Sequence, residues 1–154
     1  MIVGIIGGNK ITDKKIYNIA YRIGELIAKE GWYLICGGLG GVMEAASKGA
    51  FENNGTTIGI LPTINKEDAN KYIKIPIATN MGYSRNYIIV QTADILIAID
   101  GRTGTLNEIT AALNMNKKVI SLLSWELEKI GFKNDIFIKA FTPEEAIQII
   151  KKLF

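Results

Sequence analysis

Three glycine clusters, Gly7-Gly8, Gly37 to Gly41 and Gly101 to Gly104, each stand just after a short apolar run. This punctuation constrains the fold more than any other feature of the chain. The runs are Ile2 to Ile6, Trp32 to Cys36 and Asp94 to Ile99. Each is too short for a helix and largely apolar, which predicts strands buried on both faces. Helical periodicity follows every cluster. Beyond a cap at Thr12 or Asp13, Ile16, Ile19, Ala20, Ile23, Leu26 and Ile27 recur at helical spacing until Gly31. Gly41 to Asn53 reads as a helix through Val42, Met43, Ala46 and Ala50, and Thr105 to Asn114 as another.

The same alternation runs through the rest of the chain. Thr57 to Leu61 is a strand stopped by Pro62, and Ile64 to Lys74 a polar loop. Ile75 to Ala78 is a weaker strand, because Pro76 cannot donate to a ladder. Ser84 to Thr92 is helical with Ser84 as cap, and Val119 to Leu123 is a strand. Glu126 to Asn134 reads as a loop or short helix, and Ile136 to Phe141 as a last short strand. Thr142-Pro143-Glu144-Glu145 starts a final helix, with Leu153 and Phe154 closing it against the core. Apolar strands alternating with amphipathic helices predict an α/β fold. It is a single doubly wound, mostly parallel, Rossmann-like sheet of six to seven strands with helices on both faces. Residues 1–154 form one domain in this expectation, and a hydrophobic share of 48% is enough for one core.

Composition removes several functions. Net charge is +3, from 18 basic and 15 acidic residues. The basic residues gather only in pairs such as Lys14-Lys15, Lys117-Lys118 and Lys151-Lys152, so no basic stripe offers itself to nucleic acid. The absence of histidine removes a Ser-His-Asp triad and every His-based metal site, and no metal is expected. Cys36 has no second cysteine to pair with and reads as a buried structural thiol. Met1 to Gly8 is apolar but short, neither a signal peptide nor a membrane span, so the expectation is a cytoplasmic protein with no membrane contact.

In an open parallel sheet, ligands bind beyond the carboxyl ends of the strands, where all three glycine clusters fall. Glycine lets a ligand approach the main chain, and a following helix N-terminus offers free N–H groups and partial positive charge to a phosphate. No G-x-G-x-x-G or P-loop is complete, since Gly38-Leu39-Gly40 lacks its third glycine and no lysine follows a G-x-x-x-x-G. Asp100-Gly101-Arg102-Thr103-Gly104-Thr105-Leu106-Asn107-Glu108 is the richest segment. Its amides and the Thr105 hydroxyl can hold a phosphate, with Arg102 adding charge. Thr105-x-x-Glu108 also reads as a plain capping box, and both readings stay open at this point. Arg85 can reach the same edge or lie on the surface, and Tyr83 and Tyr87 can stack on a base or belong to the core.

With these segments in place, the chain resembles the Lonely Guy (LOG) and molybdenum-cofactor-carrier-like superfamily from Val3 to about Leu123. Gly7-Gly8, Gly37 to Glu44, Tyr83-Ser84-Arg85-Asn86 and Gly101 to Glu108 carry the resemblance. Members have been labelled lysine decarboxylase-like, but nothing in the chain has the logic of a pyridoxal-phosphate enzyme. The LOG enzymes cleave the N-glycosidic bond of nucleoside 5′-monophosphates. The resemblance would make Glu108 the catalytic carboxylate and Arg85 its partner. It implies ligand and phosphate contacts at Gly7, Gly8, Asn9, Gly37, Gly38, Gly40, Gly41, Met43, Arg85, Gly101, Arg102, Thr103, Gly104 and Thr105. Asp100 stands where the enzymes have proline, Arg102 where they have a second glycine, and Asn86 in place of a lysine. The spacing from Met81 to Arg85 is also one residue longer than in the enzyme motif. These departures resemble the molybdenum-cofactor-carrier branch. They imply a carrier or sensor of a phosphorylated, nucleotide-like ligand, with a LOG-like phosphoribohydrolase as the alternative and a purely structural partner as a third. The resemblance further implies no required cofactor, a bound nucleotide or molybdopterin-type ligand, and a homo-oligomer (dimer or tetramer).

Overall fold

A computed structural model describes residues 1–127, 131 and 135–154. Its elements run β1 (Ile2–Gly7), α1 (Lys14–Lys29), β2 (Tyr33–Cys36), α2 (Val42–Glu52), β3 (Thr56–Leu61) and β4 (Ile75–Ala78), then α3 (Asn86–Thr92), β5 (Ile95–Ile99), α4 (Thr103–Asn114), β6 (Val119–Leu122), β7 (Phe137–Ala140) and α5 (Pro143–Leu153). The strands form one sheet in the order β4-β3-β2-β1-β5-β6-β7, and every neighbouring pair is parallel. The α/β, Rossmann-like architecture is therefore as expected. The segment read as a loop or short helix, Glu126 to Asn134, lies partly outside the described residues.

The pleat distributes the apolar runs between two cores. Ile95, Ile97 and Ile99 join Val3 and Ile5 beneath α1, α2 and α5. Leu96 and Ala98 join Ile6 beneath α3 and α4. Such strands need no polar alternation, because each face is covered.

Local signals set the helix ends. Asp13 caps α1 by accepting from the Lys15 amide. Gly31, at φ 71°, closes it, with Gly31 N–H donating to Ala28 O and Trp32 N–H to Ile27 O. That pair of bonds is a Schellman motif. Thr142 caps α5 through the Glu145 amide, and Pro143 takes the first helical position. Leu153 packs against the core, but Phe154 is exposed and does not close the helix. Where α1 crosses α2, a Cβ on Gly24 would strike the Ala46 carbonyl, and one on Gly49 the Tyr21 carbonyl. Two glycines thus let these backbones touch.

Two helix starts differ from expectation. A single turn of 3-10 helix, Gly82–Arg85, precedes α3, and Ser84 does not cap it. Helix α4 starts at Thr103 with Arg102 as its N-cap residue. Thr105 is therefore the third helical residue rather than the cap, and the capping box does not form. Among the described residues, no helix is long and apolar enough to cross a membrane.

Candidate functional site

Strand order reverses direction at β1, which lies between β2 and β5. The crevice at such a switch point is where an open α/β sheet accepts ligands. Its floor is backbone. Gly7 registers with Ile99, and a Cβ there would come within 2.6 Å of the Ile99 carbonyl. Gly41, at φ 63°, packs on the Gly8 carbonyl, which also accepts the Val42 amide at 2.9 Å. The Gly40 amide donates to Asn9 Oδ1 at 3.0 Å. The first and second glycine turns are therefore clasped together. Asn70, from the loop read only as polar, donates its side-chain amide to the Gly38 and Leu39 carbonyls. Only the folded loop brings it there, and no local motif marks it.

On the β5 side, Gly101 has φ 108°, and a Cβ there would collide with the Thr105 side chain. Thr105 is folded over Gly101 and buried, while Arg102, Thr103 and Gly104 are exposed. No side chain caps α4. Its first amides thus lack intrahelical partners and present the positive end of the helix.

Beneath this rim sit two charged residues. Glu108, one turn beyond Thr105, is only 8% exposed. Burial raises its pKa to about 7, against the pull of the Arg85 charge. Arg85 is also 8% exposed. The 3-10 turn before α3 delivers it, and its guanidinium lies against Gly37 beside Met43. Burial lowers the Arg85 pKa, with the charge of Glu108 acting in the opposite sense. The Arg85 Nε–H is buried with no hydrogen-bond partner, and among the described residues no ion pair within 4.0 Å joins it to Glu108. A buried, unsatisfied guanidinium N–H is costly, on the order of 1–3 kcal/mol or more, and calls for an explanation.

The remaining sequence candidates sort clearly. Cys36 is buried, bonded to Ser47 and the Gly38 amide, with its pKa raised by burial. It is an inert wall. Tyr83, at 89% exposed, and Tyr87 belong to the surface rather than the core. No cluster of His, Cys, Asp or Glu among the described residues can hold a metal.

Comparison with known proteins bears on the family and the fold. The chain is 38% identical to the molybdenum cofactor binding protein of Rippkaea orientalis, with TM-score 0.93 over 99% of this chain and 96% of that one. It is 34% identical to the molybdenum cofactor carrier protein of Chlamydomonas reinhardtii, with TM-score 0.90 over the same shares. A protein of Archaeoglobus fulgidus is 45% identical over 151 residues, which are 96% of this chain and 92% of that protein. A weaker likeness, 30% over 102 residues, links it to the cytokinin riboside 5'-monophosphate phosphoribohydrolase of Mycobacterium marinum, and covers 64% of this chain and 54% of that enzyme. The SLOG cluster4 family model matches residues 1–151, and by that match the chain belongs to the SLOG cluster4 family.

Proposed function

We propose that this protein is a carrier or sensor that holds a phosphorylated, nucleotide-like ligand, of nucleotide or molybdopterin type, in the β1/β5 crevice. The orphaned Nε–H of Arg85 carries the reading. A buried cation with a free donor, under an uncapped helix N-terminus, is suited to a phosphate oxygen. The α4 amides at Thr103, Gly104 and Thr105 would grip the phosphate, with Arg102 at the rim. Gly7, Gly8, Asn9, Gly37, Gly38, Gly40, Gly41, Gly101 and Met43 would shape the walls. Gly37 and Gly101 leave room for the Arg85 guanidinium and the Thr105 side chain, which a Cβ at either position would displace. The two molybdenum-cofactor neighbours support a pterin phosphate as the ligand class. An exposed edge strand β4 carrying Ile75 and Ile77, with Met81 and Tyr83 beyond it, supports a homo-oligomer, dimer or tetramer. A free cysteine suits a reducing, cytoplasmic setting.

A second reading rests on Glu108. A carboxyl with pKa about 7 beside a buried arginine suits acid–base work at neutral pH, as in N-glycosidic cleavage of a nucleoside 5′-monophosphate. The experiment is incubation with nucleoside monophosphates and pterin phosphates, followed by chromatography for free base and for retained ligand. Retention without cleavage, lost in Arg85→Lys, is the expected result. Released base that disappears in Glu108→Gln would replace the carrier with a phosphoribohydrolase. Neither retention nor release would overturn both.

A further inference from the structure

A cavity lies on the face of the sheet covered by α1 and α2. It has a volume of about 220 Å³ and is lined by Ile11, Tyr17, Gly41, Glu44, Lys48 and Tyr72, with Ala45 at its base. Whole drug-sized ligands occupy about 300–1,000 Å³, so this slot takes one ring system. Two of its lining residues, Tyr17 and Tyr72, are aromatic. The Tyr72 ring meets Phe51 edge-on at 6.0 Å, with Lys48 Nζ 5.9 Å and Lys71 Nζ 5.2 Å from its centroid. The Thr57 hydroxyl donates to the Tyr72 carbonyl at 2.6 Å, and the Tyr72 amide donates to Asn70 Oδ1 at 3.1 Å. Tyr72 is therefore fixed in place rather than trailing on its loop.

Glu44 is the unusual member. It is half-buried in the first turn of α2, and among the described residues its carboxylate makes no hydrogen bond or ion pair. The nearest basic residue on its own helix, Lys48, instead reaches Tyr17 and faces Glu52 at 3.9 Å. A carboxylate has only acceptors, and two parallel N–H donors satisfy it best. Favourable helix-dipole contact would explain an acid at this position. It would not explain two tyrosines and a ring-sized void beside it.

We propose that this slot binds a flat heteroaromatic ring carrying a ring N–H next to an exocyclic amine, with Glu44 accepting both donors and Tyr17 and Tyr72 flanking the ring. The 2-amino-4-oxopyrimidine face, shared by guanine and pterin, has that pair. Adenine sets an acceptor beside its amine on each edge and would meet the carboxylate with repulsion. Only Gly41 borders both this slot and the crevice, and the ring reading does not depend on the phosphate reading of Arg85 and Glu108.

The test uses the full chain with phosphate-free probes: guanosine, free pterin and adenosine in calorimetric titrations, with inorganic phosphate titrated separately. Guanosine or pterin should bind at least about tenfold tighter than adenosine. Glu44→Gln should abolish that preference, and Tyr72→Ala should weaken every ring while leaving phosphate binding intact. Thermal melts would show that both variants fold. Preference for guanosine alone or pterin alone would identify the source of the face. Equal affinity for adenosine, a preference that survives Glu44→Gln, or no ring binding at about millimolar concentration would overturn the proposal. Failure of phosphate to bind would instead count against the Arg85 site.

Discussion

Glu108 offers the sharpest quantitative test. Its carboxyl titrates at about 7 in the fold against an ordinary 4.5. The folded state thus holds a proton that the unfolded chain has already released. Stability from this group is full below the unfolded pKa and is lost as pH rises through the folded one. The gap of two to three units, at about 1.4 kcal/mol per unit, corresponds to about 3 kcal/mol lost between about pH 4 and about pH 8. Glutamine cannot ionise. In urea titrations across that range, Glu108→Gln should gain on the parent by about 3 kcal/mol as pH rises, whatever fixed offset the substitution brings. Other carboxylates titrate in both proteins and cancel in the difference. A difference that stays flat with pH, within about 0.5 kcal/mol, would show that Glu108 is not held out of water and would remove the basis for its acid–base reading.

Other perturbations separate stability from ligand binding. Replacing both buried charged groups by apolar ones, Arg85→Met with Glu108→Leu, should leave the fold between neutral and about 4 kcal/mol more stable, while phosphate retention disappears; urea titration and retention assays read the two outcomes. Gly49→Ala should cost about 1–3 kcal/mol or more in the same titrations, because the added methyl meets the Tyr21 carbonyl across the α1–α2 contact. Gly101→Ala should cost about 1–3 kcal/mol through its positive φ and weaken phosphate binding as Thr105 shifts, seen by calorimetry. Lys151→Ala, which breaks an exposed pair with Glu30, should change stability by under about 1 kcal/mol.

The sheet was readable because most strands are covered on both faces, so their apolar runs needed no decoding of alternation. Even β4, with three of its four residues exposed, was readable as a weaker strand through Ile75 and Ile77 despite Pro76. Helix ends were less legible. Thr105-x-x-Glu108 has the letters of a capping box, and only Thr103 as the first helical residue shows that it is not one. Arg85 taken alone read as a surface residue, and only the family resemblance placed it in the site. Its burial depends on Gly37, Met43 and Glu108, which arrive from two distant segments and leave no local trace. The slot at Glu44 was invisible for the same reason, since Tyr17 and Tyr72 are far apart in the chain.

The order β4-β3-β2-β1-β5-β6-β7 also bears on how the molecule is made. Strands β1 to β4 can assemble as the chain leaves the ribosome, each beside its predecessor. Strand β5 must then return to the far edge of β1, a closure in which the Ile2 amide meets Asp94 across 92 residues of sequence. Such long-range pairing is slow, because loop entropy is lost before contacts compensate it. Until it happens, β1 is an open apolar edge, and Arg85 and Glu108 have not met. The crevice is thus the seam between an early half and a late half. A ligand that needs both halves can bind only once they have closed, so its retention reports completed folding.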